Sequence, residues 1–223
     1  MSGLLTALQH ADSAFPSGGF AFSNGIEGLT ALGAPLDRAG LAATAIAAIR
    51  YRWASFDRLA LIRARQAGDD LALIGEIDRA VEAATLVAPL RVGSKRHGSA
   101  LLAAHIRLAT PGADAFRAAI DARRALGHLA VVQGFVWRAI GLSQAEAVAI
   151  SGYAAAGGLI AAAVRLGTIG AVDAQAVLKS VLDVLAELIE VDVQPDAEME
   201  SFMPWIDVAA LRHTRAHVRL FAS

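Results

Sequence analysis

The 223-residue chain has no cysteine. Disulfides, thiolate zinc sites and cysteine nucleophiles are therefore excluded. Net charge is nearly absent too: 20 Lys and Arg against 21 Asp and Glu leave a formal −1. Such a balance gives no reason to expect nucleic acid or a membrane surface as partner. No sustained polar–apolar alternation occurs, and no hairpin turn lies between β-rich runs, so strand signals are lacking. Neither the phosphate-cradling G-x-x-x-x-G-K-[ST] spacing nor the G-x-S-x-G nucleophile elbow is present. No carboxylate pair is fixed by spacing near a histidine, and nothing marks an active site. The first residues lack the basic segment and apolar run of a secretory signal, so a cytoplasmic protein is expected.

Hydrophobic residues, by contrast, make up 56% of the chain, which suggests a surface that a partner covers. The length fits one domain, residues 1–223, with a sizeable core. Its organising stretch is Ser143–Gly167. Ser143 followed by Glu146 forms a capping box that starts a helix, and Gly167 stops it by entering the left-handed C-cap conformation cheaply. Between Ala147 and Val164 no side chain is charged, about the reach of a membrane span. Alanine and glycine gain little from lipid, however, and no Lys/Arg or aromatic cluster marks both ends. The expectation is a helix buried on all sides of an all-α bundle. Gly152, Ala156, Gly157 and Ala161 would let neighbouring helices come close.

Around that helix the chain reads as further helices. Leu4, Leu5, Leu8 and Ala11 suggest a short opening helix. Pro16 and Gly18-Gly19 then break the helical run within Ala14–Leu29, with Phe20 and Phe22 beside the break and Glu27 just inside the next helix. From Leu36 to Gly68 the pattern is helical, with Asp37 as N-cap. Arg50, Arg52, Arg58, Arg63 and Arg65 read as a solvated face paired i,i+4 with acids; the competing reading is a docking surface for an acidic partner. Asp69-Asp70 opens another helix that Pro89 interrupts, and Ser94–Leu108 follows. Thr110-Pro111-Gly112 is a turn between two halves of one bundle. His128 reads as a hydrogen-bonded core histidine. Asp173 caps an amphipathic helix with Val177, Val181 and Leu185 on one face.

The C-terminal part, about residues 195–223, differs in character. It holds Pro195 and Pro204, acids at Asp196, Glu198 and Glu200, and a basic end with Arg212, Arg215 and Arg219. A tail ending in Leu220-Phe221 is too apolar for slack chain: it packs on its own bundle or is ordered by a partner. His213 and His217 would share a helical face, as metal ligands do, but they have no third ligand and lie in a cationic run. No metal site is expected there, and no cofactor.

Two termini carry a more specific signal. LQHADSAFPSGGFAFSNGIEGL resembles the signature LQLaDSafPtGgFaHSgGLE of the urease accessory protein UreF family. LRVGSKRHGSALL, RLGTIGAVDAQAVL and the closing Met203-Pro204 through His213 to Arg219-Leu220-Phe221-Ala222-Ser223 are similar to further stretches of that family, in the same order. The resemblance implies an all-helical, usually homodimeric, cytoplasmic chaperone of urease maturation with no catalysis of its own. It implies a scaffold that binds UreD (also called UreH) and recruits the GTPase UreG, so that nickel reaches the urease apoprotein. Neither a nucleic-acid nor a membrane partner is expected. Partner contact falls by this resemblance on Asp12, Ser13, Pro16, Gly18, Gly19, Phe20, Ser23 and Glu27, and on Pro204, His213, Arg219, Leu220, Phe221 and Ser223. Arg165 joins them: with Arg219 it is a candidate to modulate the GTPase by neutralising phosphoryl charge, although an ion pair with an acid at the helix end is its plainer role. Departures are Phe22 where the family has histidine, Asn24 where it has glycine, Pro89 at an acidic position and His217 at an aromatic one. The reading of another class is a small α-helical enzyme with a pocket near Pro16–Phe22.

Overall fold

Helix boundaries in the computed structural model follow local chemistry. It describes residues 2–194, 196–213 and 220–221, with Ser2 and His213 described by backbone alone. The helices are α1 (Ser2–Ala11), α2 (Ile26–Ala31), α3 (Arg38–Ala48), α4 (Arg58–Gln66), α5 (Leu71–Ala84), α6 (Ala88–Arg107), α7 (Ala113–Asp121), α8 (Leu129–Ala139), α9 (Gln144–Arg165), α10 (Ala171–Ile189) and α11 (Pro204–His213). No strand occurs among the described residues; the fold is all-α. Asp37 and Asp70 cap α3 and α5 by accepting from the Gly40 N–H (2.9 Å) and from the Ala72 and Leu73 N–H groups (2.9 and 3.1 Å).

The capping box of α9 is complete. Ser143 Oγ accepts from the Glu146 N–H (3.2 Å) and Glu146 Oε2 from the Ser143 N–H (2.7 Å). Gly167 leaves the helix at φ +71°. α9 lies at the centre, packed on α10, α1, α4, α8 and α3. A Cβ on Gly152 would fall 2.4 Å from Leu185 Cδ1, so this glycine sets the approach of α10. Ala156 is buried as well, whereas Gly157 faces open space and Ala161 is exposed. The burial is therefore not all-round: Tyr153, Ala154 and Ala161 form an outward strip. Length and composition would let α9 cross a membrane, yet 56% of its most apolar window is buried by the other helices.

Three boundaries differ from expectation. Pro89 does not interrupt a helix but lies in the first turn of α6, where its missing N–H has no helical partner to lose. Asp173 is a first-turn residue of α10, which Gly170 caps; its carboxylate still complements the helix dipole. Between α3 and α4 the chain stays helical but widens into a π-helix over Ile49–Asp57. Arg52 accordingly pairs with Asp57, five residues on, at 3.1 Å, rather than with a neighbour at i+4.

Candidate functional site

The N-terminal turn is shaped by short-range bonds and close packing on α6. Asp12 Oδ1 accepts from the Ala14 N–H (2.8 Å), and its carbonyl accepts from Phe15 (3.0 Å). Gly18 has φ +79°, and a Cβ there would lie 2.7 Å from Ala100 Cβ, so only glycine fits. A single 3-10 turn, Gly19–Ala21, follows. Phe22 is buried with its ring stacked on His97, centroids 5.3 Å apart. Burial pushes the His97 imidazole down to about 4, so it is neutral near pH 7. Phe20, at the tip of the turn, is 76% exposed.

The C-terminal segment comes back to this turn along a stitched path. Arg63 donates to the Ala197 carbonyl. The Glu200 and Phe202 N–H groups donate to the Ser55 and Tyr51 carbonyls on the π-helix, both at 3.0 Å. Ser55 Oγ in turn donates to the Glu200 carbonyl (2.7 Å). α11 then lies on α2, where a Cβ on Gly28 would approach the Ala209 carbonyl oxygen to 2.5 Å. Farther on, the Leu220 N–H donates to Glu27 Oε1 at 2.7 Å.

Arg165, the last residue of α9, closes the junction. Its guanidinium carbon sits 4.1 Å from the Phe20 ring centroid and 4.2 Å from that of Phe221, and it donates to the Phe20 carbonyl. Stacking between aromatic faces suits the planar, weakly hydrated guanidinium. Phe221 is 7% exposed while Leu220 beside it is 72% exposed. The tail thus inserts one side chain and presents the next.

The structure brings together Gly18, Gly19, Phe20, Glu27, Arg165, Leu220 and Phe221, with Pro204 starting the helix that leads there. Asp12, Ser13 and Pro16 lie on the exposed side of the turn and Ser23 is buried behind it. Arg219, His217 and Ser223, and the His213 side chain, lie outside the described residues. No carboxylate pairs with Arg165 among the described residues, which corrects the ion pair expected at the end of α9. The arginine-rich stretch also differs from a solvated face. Arg58 is buried and donates to the Leu188 carbonyl, Arg63 holds Ala197, and Arg50 reaches Glu187 at 3.9 Å. Arg58 and Arg63 thus hold the end of α10 and the C-terminal connector, while Arg50 stays exposed.

A second polar junction carried no sequence signal apart from His128. That imidazole is fully buried, with Nε2 2.7 Å from Glu82 Oε2 and Nδ1 3.1 Å from Ser94 Oγ. Asp78, also fully buried, accepts from the N–H groups of Leu126 (2.7 Å), Gly127 (2.6 Å) and His128 (2.9 Å). The Ser–His–Glu chain has the membership of a hydrolytic triad. Its hydroxyl oxygen, however, is already occupied by the Leu129 N–H at 3.2 Å, and the imidazole has no access to solvent. It works as a clasp between α5, α6 and the start of α8. No group of three His, Asp or Glu suited to a metal occurs among the described residues. One cleft is lined by Arg52, Leu86, Met203 and Asp207 and another by Arg96, Arg117 and Leu126; neither includes a residue of Pro16–Phe22.

The turn, Arg165 and the returning tail are joined across most of the chain's length, and comparison with known proteins runs over that same length. The sequence model described as UreF matches residues 36–182. The chain belongs to the UreF family. It is 31% identical over 229 residues to urease accessory protein UreF 1 of Brucella melitensis biotype 1, covering 99% of this chain and 93% of that protein. To the urease accessory protein UreF of Yersinia pseudotuberculosis it is 30% identical, covering 100% and 99% of the two chains. To that of Actinobacillus pleuropneumoniae the figure is 28%, over 99% and 100%. In this UreF-family chain the two terminal motifs are one structural unit, held by Glu27 and Arg165.

Proposed function

We propose that this protein is a urease maturation chaperone: a non-catalytic cytoplasmic scaffold, working as a homodimer, that bridges UreD (UreH) and the GTPase UreG so that nickel is inserted into the urease apoprotein. The observation that carries this reading is the junction of Phe20, Arg165 and Phe221. It gathers the N-terminal turn and the C-terminal tail into one surface whose outermost groups, Phe20 and Leu220, are large and apolar. An exposed apolar group next to a buried anchor is the usual composition of a protein-docking patch. Membership of the UreF family supports partners within the urease accessory machinery, and the motif resemblance supports UreD and UreG among them. Pull-down tests it: a chain lacking residues 212–223 loses one partner while circular dichroism shows an unchanged helical fold. Retention of both UreD and UreG by that chain overturns the tail's role.

A finer part of the proposal concerns GTP turnover. Arg165 supports it indirectly, since its guanidinium is engaged by two rings and by the Phe20 and Ala161 carbonyls; it acts on UreG by holding the tail in place rather than by entering a nucleotide site. Arg165→Ala and Arg219→Ala are compared in the assembled complex. Unchanged GTP turnover in both removes the modulatory role and leaves the scaffold intact.

A further inference from the structure

α6 has two working faces. His97 and Ala100 support the N-terminal turn, while Val92, Lys95, Arg96 and Ser99 line a cleft of about 290 Å³ against α7 and the loop before α8. The walls of that cleft are cationic, from Lys95, Arg96 and Arg117, and its floor is apolar, from Val92, Ile120 and Leu126. No carboxylate lines it. Lys95 pairs with Glu82 (2.9 Å), which also serves Arg91 (3.5 Å) and His128 (2.7 Å). Arg117 spends one nitrogen on the Ser99 carbonyl and hydroxyl, both at 3.1 Å. No carboxylate pairs with Arg96, Arg123 or Arg124 among the described residues. In a chain of net charge −1, this is a local excess of positive charge beside apolar side chains that are exposed or only partly buried.

We propose that this cleft docks an acidic peptide segment of a partner protein, with carboxylates on Arg96 and Arg117 and an intervening apolar side chain on the Val92–Ile120–Leu126 floor. Charge complementarity selects an anionic occupant, and the apolar floor selects one with a hydrophobic group between its charges. A free phosphate would leave that floor uncovered. A nucleic-acid strand would find no aromatic platform, since no Phe, Tyr or Trp lines the cleft. This surface is separate from the tail junction, so its failure leaves the pull-down test above untouched.

The test is fluorescence anisotropy of a fluorescein-labelled Gly-Glu-Leu-Glu-Gly peptide with the full-length protein at low salt. Arg96→Glu weakens binding about tenfold or more, and Arg96→Ala does so less strongly. Arg50→Glu makes the same charge change on a different helix and alters binding less than about twofold. Replacing the peptide's leucine by glycine costs about fivefold, the loss expected for one small apolar contact. Equal weakening by Arg50→Glu and Arg96→Glu would show only a diffuse field and overturns the proposal. Displacement by equimolar inorganic pyrophosphate, tighter binding of a single-stranded oligonucleotide, or absence of peptide binding at millimolar concentration overturns it as well.

Discussion

The two polar junctions of this fold do the same topological job by opposite means. Around Asp78 and His128 the acceptors are satisfied, with Glu82 at the partly exposed edge, and the loop before α8 is held by three N–H groups on one buried carboxylate. Around Arg165, the anchors are two aromatic faces, the Phe20 and Ala161 carbonyls and, beside it, the hydrogen bond from the Leu220 N–H to Glu27. The first junction closes on itself, with Asp78 and His128 fully buried. The second leaves Phe20 and Leu220 facing outward. A buried, fully satisfied network is costly to open, because each freed group loses its partner without gaining water. A stacked guanidinium at the surface can part from its rings at much smaller cost. One junction is built to hold the bundle, the other to hold a tail that keeps Leu220 turned outward.

The sharpest way to break this contrast is Asp78→Ala. It strands three buried donors at once, and the expected loss is about 3–5 kcal/mol of unfolding free energy in urea titration. Asp78→Asn keeps one acceptor oxygen and should lose less. A change below about 1 kcal/mol for the alanine variant would mean that the loop is held by packing alone.

Next in size is Arg165→Ala. Two cation–π contacts at the surface are worth about 1–2 kcal/mol together, and this is a local energy, so the global unfolding transition barely moves. It is read instead by hydrogen exchange at the Leu220 amide, whose bond to Glu27 reports tail docking. Exchange there should speed up about tenfold, with Arg165→Lys in between because lysine lacks the planar face. Unchanged Leu220 exchange would show that Glu27 holds the tail without the arginine.

How far the sequence foretold these junctions depends on the range of the contacts. Ser143 with Glu146, Asp37 with Gly40, and Asp70 with Leu73 are bonds three residues long, and residue type and spacing suffice to write them down. The π-helix was out of reach because Arg52 and Asp57 look unrelated until a wider helix puts i and i+5 on one face. The Asp78 clasp joins residues 48–50 apart, and neither partner is unusual alone; only His128, polar amid apolar residues, betrayed that something was there. Phe20, Glu27, Arg165, Leu220 and Phe221 could be singled out from family motifs, but not that Arg165 would stack between Phe20 and Phe221. That contact spans 145 residues on one side and depends on α9 ending level with the turn. Arg165 itself invited a salt bridge, since aromatic sandwiches leave no periodic trace.

The effect spread most thinly, over a range of pH, concerns His97, which lies under the turn of the weaker junction. Folded, burial depresses its imidazole to about 4; unfolded, it returns to its ordinary 6.5. Below pH 6.5 the unfolded chain therefore binds a proton that the folded chain does not, and stability falls as pH falls until the folded imidazole titrates near 4. Within that window this one group contributes a slope of up to about 1.4 kcal/mol per pH unit. His105, buried beside His10 and likewise depressed to about 4, adds a similar slope from beneath α1. His97→Leu should remove one proton's worth of the slope, measured by urea titration at pH 4.5, 5.5 and 6.5, and leave the His105 part. Acid should also free the tail before it opens the Asp78 clasp, because His97 carries the turn on which Phe20 and Arg165 rest. A pH slope unchanged in His97→Leu would place the titrating group elsewhere and detach the turn from any acid sensitivity of the tail.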